Sequence, residues 1–195
     1  LLLRLTFIGE SADDPVLARI EAHPDVEAAS ACLEDNALIL FRGRPVVINL
    51  KGVDDRFDAV TGIRSILYGT GSYKLHAPDV SYGIPGIGLA SAMGGIDYGT
   101  IQICAPRKGE KVNLNNPAES FNADDLTSAG VCFDVPQRTY DENYMIAPLS
   151  FAQNLFEQPG CITGLELKLK PGADVQRVKK ELREWAGDRY LVLDQ

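Results

Sequence analysis

The chain has 195 residues, of which 45% are hydrophobic and 24% charged, and its formal net charge is −8 at pH 7. This is ordinary globular composition, and the acidic balance argues against nucleic-acid binding because no stripe of Lys and Arg compensates for it. No apolar run approaches the roughly 18–20 residues that span a bilayer, and the opening LLLRLTF is too short for a membrane helix or an intact signal peptide.

The first segment is predicted to contain a strand, a helix, a second strand and a hairpin. LRLTFIG has strand composition, and Asp14-Pro15 marks a helix start, with Asp as the cap and Pro in the first turn. His23-Pro24 ends this helix, and VEAASACLE is predicted to be the second strand. A hairpin follows, formed by NALILF, a turn at residues 42–44 and PVVINLKGVD.

The last segment repeats the opening pattern. In CITGLELKLK, leucines alternate with charged residues, which predicts a half-buried strand. ADVQRVKKELREWAG follows as an amphipathic helix that Gly187 stops, and RYLVLDQ closes the chain as a strand. The apolar face of this helix consists of Val175, Val178, Leu182 and Trp185.

These elements predict an α+β fold in one domain that spans residues 1–195. Residues 1–35 and 160–195 would form a ferredoxin-like subdomain of two βαβ units, and residues 36–159 would form an inserted β-rich subdomain. The first and last strands should then run side by side, which suits a module placed between two other elements. The chain begins with Leu1 rather than Met, so we expect that an upstream part is missing.

The stretch GIPGIGLASAMGG, residues 83–95, resembles a glycine-rich phosphate loop at first sight. A dinucleotide fingerprint that begins at Gly86 would need its third glycine where Ser91 stands, a strand just before it and an acidic residue about 20 positions on. Residues 79–82 make a poor predicted strand, and the next predicted strand ends in Ala-Pro-Arg rather than in an acidic residue. The stretch is interpreted instead as a short helix with small residues for close packing, ended by a left-handed turn at Gly94-Gly95.

Candidates for catalysis are few. The chain has two histidines, His23 and His76, which are interpreted as surface or strand residues, and GxSxG does not occur. The acidic pairs at residues 54–55, 124–125 and 141–142 are interpreted as parts of turns. We therefore predict no catalytic residue, no cofactor-binding residue and no metal ligand.

Four cysteines occur, and none forms a CxxC pair. Their strand-like surroundings predict small, semi-buried side chains. The alternative is a disulfide, for which Cys104 and Cys132 are the best pair, since both fall on the more polar face of their predicted strands. We expect these two thiols to be free.

A long polar stretch, RKGEKVNLNNPAESFNADDLTSAG, lies between two predicted strands at residues 107–130. Loops of this length are functional or disordered more often than others. Its apolar residues favour either a projection that binds a partner or a loop folded back on its own sheet. The candidate partner-binding residues are Val112, Leu114, Pro117, Phe121 and Leu126.

The order of motifs along the whole chain resembles one known family. GVDDRFDAVTGI is followed by YGIPGIGLASAMGG, YGTIQICAP, the long insert, GVCFDV, YMIAPLSFAQNLF and CITGLELKLKPGADVQRVKKEL. This series is similar to the MacB-like periplasmic core domain of FtsX-like ABC transporter permeases. Within that family the chain resembles the lipoprotein-releasing type, LolC and LolE, most.

The resemblance implies an extracytoplasmic domain between the first two membrane helices of an inner-membrane permease. Residues 1–35 and 160–195 would correspond to its porter subdomain and residues 36–159 to its sabre subdomain. A cytoplasmic ATPase subunit and a sister permease would be partners of the full-length protein. The domain would transmit ATP-driven motion that moves lipoproteins towards a periplasmic carrier. Residues 107–129 would correspond to the hook that grips this carrier.

Alternatives stay open. A MacB-like permease for efflux or toxin export shares the same motifs. A hydrolase would use a cysteine or an acidic pair with His76. A stand-alone ligand-binding protein would lack the flanking membrane helices.

Overall fold

The computed structural model describes residues 1–111, 113 and 115–194, apart from the side chains of Ile8, Pro117 and Asp194. The chain contains both strands and helices, and the predicted α+β class is confirmed. The strands are β1 Leu2–Ser11, β2 Val26–Phe41, β3 Arg44–Val53, β4 Leu67–Gly69, β5 His76–Ala77, β6 Val80–Pro85, β7 Thr100–Pro106, β8 Phe121–Ser128, β9 Val131–Phe133, β10 Tyr144–Pro148, β11 Cys161–Leu169 and β12 Leu191–Asp194. The helices are α1 Pro15–Glu21, α2 Phe57–Val60, α3 Ile87–Ala92, α4 Arg138–Asn143, α5 Leu149–Leu155 and α6 Val175–Ala186, and three short 3₁₀ turns lie at Ile63–Ile66, Pro117–Ser120 and Gly187–Arg189.

The chain divides into two compact units. The first consists of Leu1–Leu33, Val53–Gly62 and Gly160–Gln195, and the second of Glu34–Gly52 and Ile63–Pro159. The porter and sabre boundaries expected from the sequence stay a prediction. Within the described residues, every helix is too short or too polar to span a bilayer.

The first unit is built around a four-stranded antiparallel sheet in the order β12-β1-β11-β2. Helix α1 connects β1 to β2 and helix α6 connects β11 to β12, so the unit has the two βαβ units and the strand order of a ferredoxin-like fold. Strand β1 pairs with β12, with Arg4 opposite Leu193. The prediction that the first and last strands run side by side is therefore confirmed.

One face of this sheet forms the core with the two helices. Alternation along the strands places Leu5 of β1 beside Leu165 of β11 on that face. The helices contact each other and bury their apolar stripes. The buried helical residues include Leu17, Ile20, Val178 and Leu182. Burial of apolar area at about 25 cal/mol per Å² is the main contribution to the stability of such a layer.

The short segment Val53–Gly62 packs on part of the other face of the sheet, at β11 and β2. Helix α2 packs on β11, and its residues Phe57 and Val60 are buried. Ser30 of β2 and Glu166 of β11, which are paired across the sheet, are also almost completely buried. This segment thus covers the sheet at β11 and β2, whereas Leu191 and Leu193 of the edge strand β12 are exposed.

The N-cap of α1 carries a pH-sensitive contact. The Asp14 carboxylate accepts hydrogen bonds from the Val16 amide at 2.8 Å, from Arg189 at 2.9 Å and from the Tyr190 hydroxyl at 3.1 Å. The amide hydrogen bond, followed by those from Tyr190 and Arg189, lowers the pKa of Asp14 from its ordinary value. Burial and the bond to Asp14 raise the pKa of Tyr190 to about 12, so this hydroxyl stays a donor.

This geometry predicts acid sensitivity of the first unit. A carboxyl whose pKa is depressed by folding contributes stability above its unfolded pKa of about 4, and this contribution is lost as the pH falls through the folded pKa. Asn also caps helices well, so Asp14→Asn should fold. We expect it to lose less stability than the wild-type chain between about pH 6 and about pH 3. Unfolding monitored by the fluorescence of the single tryptophan, Trp185, measures this.

The exposed neighbour provides the control for this measurement. Asp13→Asn removes the same charge without touching the cap, so its acid-induced loss should equal that of the wild-type chain. An equal loss in Asp14→Asn would contradict the predicted role of the cap.

The second unit is built around a closed ring of strands. The order is β2-β3-β10-β6-β8-β7, and β7 pairs with β2 again, with Ile103 opposite Ile39. Strands β6 and β8 are parallel, whereas β7 pairs with β8 and β10 with β6 in antiparallel fashion. A ring in which strand β2 has a partner on each side leaves no open sheet edge at this position. Ile39, Ile84, Ile103 and Leu126 are completely buried in this unit.

Two strand predictions are wrong. VEAASACLE and NALILF are one continuous strand, β2, of 16 residues, rather than two. The polar pair Asp35-Asn36 indicated a break, but both residues are exposed and the strand continues past them. The predicted turn is confirmed, since Arg42 and Gly43 have φ of 48° and 75°.

Candidate functional site

The loop in the long polar stretch at residues 107–130 is shorter than the sequence predicted. Residues 121–128 form strand β8, which pairs with β7 from Thr100 opposite Thr127 to Pro106 opposite Phe121. The Asn-Ala-Asp-Asp run has low strand propensity, but β7 pairs with all four of its residues. The prediction of a loop throughout residues 107–130 is therefore wrong for β8.

The five partner-binding candidates fall in different surroundings. Leu126 is completely buried and is a core residue of the second unit, whereas Phe121 is half-buried at the start of β8. Pro117 begins a 3₁₀ turn, but its side chain lies outside the described part of the chain, as do residues Val112 and Leu114. Partner binding by this segment stays a prediction, and Phe121 is its best-placed residue.

Hydrogen bonds anchor both ends of the remaining loop. The Arg107 amide donates to the Ser120 carbonyl at 2.9 Å, and the Asn113 amide donates to the buried Ser120 hydroxyl at 2.7 Å. The Lys108 amide donates to the Glu157 carboxylate at 2.7 Å. These contacts hold the base of the segment against the second unit.

The glycine-rich stretch packs closely against a neighbouring helix. The predicted short helix is confirmed as α3, which begins after Gly86, and Leu89, Ala90 and Met93 are buried. A Cβ atom added to Gly86 would lie 2.6 Å from the Cα of Asp141 in α4. Gly86 thus lies in direct contact with the α4 backbone. The prediction of a poor strand before Gly86 is wrong, because β6 runs from Val80 to Pro85. Ser91 still stands where a dinucleotide fingerprint needs its third glycine. Gly94 and Gly95 have φ of 86° and 142°, which confirms the predicted left-handed turn.

The two histidines differ in their surroundings. The prediction of a surface or strand residue is wrong for His23, which is buried just after α1 and bonds Glu181 at 2.6 Å through Nε2. Its Nδ1 accepts a hydrogen bond from the Asp25 amide at 3.1 Å, so the ring proton belongs on Nε2. A base needs a free lone pair, and this ring has both nitrogens engaged. His76 lies exposed on β5.

Two of the three acidic pairs lie in regular secondary structure. Asp124 and Asp125 lie exposed in strand β8 rather than in a turn, because β8 extends through them. Asp141 lies in helix α4, where its carboxylate accepts a hydrogen bond from the Val135 amide at 2.9 Å. Within the described residues, no group of three His, Cys, Asp or Glu side chains is arranged to hold a metal ion.

All four thiols are free. Cys104 lies in β7 and Cys132 in β9, and these two strands are not hydrogen-bonded neighbours. Both are buried, so the prediction that they occupy polar faces is wrong. Burial raises the pKa of each thiol, and the nearby carboxylates Asp134 and Asp141 raise that of Cys132 further. A raised pKa disfavours the reactive thiolate.

The sequence did not predict a network of hydrogen bonds and ion pairs around the Asp54 carboxylate, which we call the knot. The carboxylate accepts hydrogen bonds from the Ser30 hydroxyl at 2.6 Å and from the Ala31 amide at 2.8 Å. Arg56 binds the same carboxylate and reaches Glu21 of α1 at 3.1 Å. The knot joins the covering segment to β2 and α1, so it positions elements rather than a substrate.

No protein-family model matches the chain, and no curated protein matches it. Its fold is similar to that of the periplasmic region of MacB from Actinobacillus actinomycetemcomitans, with a TM-score of 0.62 and 10% identity over 99% of this chain and 88% of that one. The extracellular domain of the noncanonic ABC-type transporter YknZ from Gram-positive bacteria gives 0.60 and 11% over 100% of both chains. A domain of a putative permease protein from Porphyromonas gingivalis gives 0.51 and 15% over 98% and 89%. At these identities the likeness shows the fold.

Proposed function

We propose that the chain is the extracytoplasmic domain of an ABC transporter permease subunit. The observation that carries this proposal is the fold, which is similar over 98–100% of the chain to domains described as periplasmic, extracellular or belonging to a permease. The series of sequence motifs supports the same function independently of the fold.

The placement of the chain ends also supports this function. Strands β1 and β12 are hydrogen-bonded neighbours, so the chain enters and leaves the first unit at adjacent positions. A domain spliced between two membrane helices needs its two connections close together. Displacement of those helices would then be passed to the first unit through two adjoining strands.

The finer role is the transmission of ATP-driven motion that moves lipoproteins out of the inner membrane towards a carrier. It is supported by the resemblance of the motif series to the lipoprotein-releasing permeases. In this role the full-length protein would sit in a bacterial inner membrane, with this domain in the periplasm. A cytoplasmic ATPase subunit and a sister permease would be its partners. The alternative, efflux or toxin export, is supported by the likeness to the MacB region.

Surface labelling of the full-length protein tests the membrane placement. The Arg138 side chain is 88% exposed, so Arg138→Cys offers an accessible thiol. We expect a membrane-impermeant maleimide to label this variant in intact spheroplasts, where the wild-type protein sets the background from its own thiols. Labelling that appears only after the cells are opened would place the domain in the cytoplasm and reject the proposal.

Photocrosslinking tests the finer role. A photoreactive amino acid at Phe121, which is half-buried at the base of the long loop, should capture a periplasmic lipoprotein carrier. The same substitution at the buried Leu126 is the control and should capture nothing. Capture of a periplasmic adaptor or an outer-membrane channel instead would favour efflux and reject lipoprotein release.

A further inference from the structure

Strands β2 and β3 form a hairpin that ends in a tight two-residue turn. The two turn residues, Arg42 and Gly43, both have positive φ, as in the two-residue turns that match the twist of a hairpin. We call Leu40–Val47, the sequence LFRGRPVV, the hairpin tip. It contains two arginines, five apolar residues and no acidic residue.

The apolar residues of the hairpin tip are exposed. Leu40 is 45% and Val47 is 65% exposed, whereas Ile39 and Ile48, which flank them on the opposite face, are buried. Phe41 is half-buried. The apolar surface therefore points away from the core of the second unit, at the end of a hairpin rather than in a groove.

The two arginines of the hairpin tip lack carboxylate partners. Within the described residues, no Asp or Glu oxygen lies within 4.0 Å of the Arg42 or Arg44 guanidinium, although the chain carries 27 acidic residues. Arg42 lies over the Phe41 ring at 5.0 Å. By contrast, Arg56 and Arg138 both form ion pairs. The hairpin tip is thus a local positive and apolar patch on an acidic protein.

We propose that the hairpin tip docks on an anionic lipid surface. Guanidinium groups pair with lipid phosphates through two hydrogen bonds, and their long stems let the charge stay at the headgroups while apolar neighbours enter the interface. Leu40, Phe41 and Val47 provide those neighbours. Peripheral binding to a bilayer needs two signals, apolar burial and basic charge, and the hairpin tip combines both.

The charge pattern of the chain is consistent with lipid binding through one local positive patch. With a net charge of −8, the chain as a whole is repelled by anionic headgroups, so binding would have to occur through the patch where the sign reverses. Exposed apolar residues at the end of a hairpin also fit a bilayer, because a deformable bilayer does not need a shaped complementary partner. This docking does not depend on the permease function.

Vesicle sedimentation with the 195-residue chain tests the proposal. We expect it to bind vesicles of phosphatidylcholine mixed with phosphatidylglycerol, to release them at high salt, and to bind vesicles of phosphatidylcholine alone far less. The double variant Arg42→Gln/Arg44→Gln should bind the anionic vesicles about 30-fold more weakly, at the usual contribution of each basic residue. Leu40→Gln/Val47→Gln should weaken binding about tenfold or more.

Matched controls separate the hairpin tip from general surface effects. Arg138→Gln removes an exposed guanidinium elsewhere in the second unit, and Leu191→Gln/Leu193→Gln removes exposed leucines of the first unit. Both should bind like the wild-type chain, and circular dichroism should show that all variants fold. Absence of binding to anionic vesicles, equal binding to neutral ones, or equal losses in the controls would overturn the proposal. An acidic protein surface would then be the remaining candidate partner of the hairpin tip.

Discussion

Gly86→Ala is expected to destabilise the second unit by about 3 kcal/mol or more, at the upper end of the cost of overpacking. The backbone at this position is compatible with alanine, since φ is −64°, so the effect is steric. The new methyl would lie 2.6 Å from the Cα and 2.7 Å from the carbonyl carbon of Asp141. Both atoms belong to the α4 backbone, so relief requires that α3 and α4 move apart.

Hydrogen exchange measured by mass spectrometry locates this effect. Amides of α3 and α4 should exchange much faster in Gly86→Ala, while those of β1 and β11 in the first unit should change little. Ser91→Ala on the same helix is the control, because Ser91 is exposed and its hydroxyl donates to the Ile87 carbonyl of the same helix at 2.9 Å. Protection in α3 and α4 equal to that of the wild-type chain would show that the two helices do not meet as closely as described.

Asp54→Ala is expected to cost the first unit about 3 kcal/mol, because a buried donor left without its acceptor costs about 1–3 kcal/mol and two donors are affected. The Ser30 hydroxyl and the Ala31 amide would both lose their acceptor. The covering segment would also lose its bond from the Arg56 amide, at 3.0 Å. Asp54→Asn keeps the shape and one acceptor oxygen, so its cost should be smaller.

Urea unfolding monitored by Trp185 fluorescence measures the loss in the first unit. Asp13→Ala, which removes an exposed carboxylate from the same unit, should stay within about 0.5 kcal/mol of the wild-type chain. Trp185 lies in α6, beside His23 at 5.2 Å, and therefore reports on the packed first unit. A midpoint for Asp54→Ala equal to that of Asp13→Ala would contradict the role of the knot.

Features that depend on neighbouring residues were predictable from the sequence. Asp14-Pro15 caps α1, Arg42-Gly43 turns the hairpin and Gly187, with φ of 63°, ends α6. Each signal acts through backbone geometry within a few residues, so no distant partner can cancel it. For the same reason the two βαβ units at the chain ends were recognisable.

Features that depend on strand partners were not predictable. The Asp-Asn pair inside β2 and the Asn-Ala-Asp-Asp run of β8 both have the composition of turns. The Asn-Ala-Asp-Asp run is a strand because β7 pairs with it residue by residue. The Asp-Asn pair stays within β2 because β11 pairs with this strand up to Cys32 and β7 pairs with it from Leu38 onward. Leu126 was a candidate surface residue by its position in a polar stretch, but this pairing turns it into the core.

The sequence alone determined the α+β class, the pairing of the first and last strands and the absence of a phosphate fingerprint, since each of these follows from local periodicity, caps and motif spacing. Only the tertiary structure decided why Gly86 must be small, what Asp54 holds together and that His23 is buried. The physical reason is distance along the chain: the Asp141 backbone, the Ser30 hydroxyl and the Glu181 carboxylate reach these residues from elements far away in sequence.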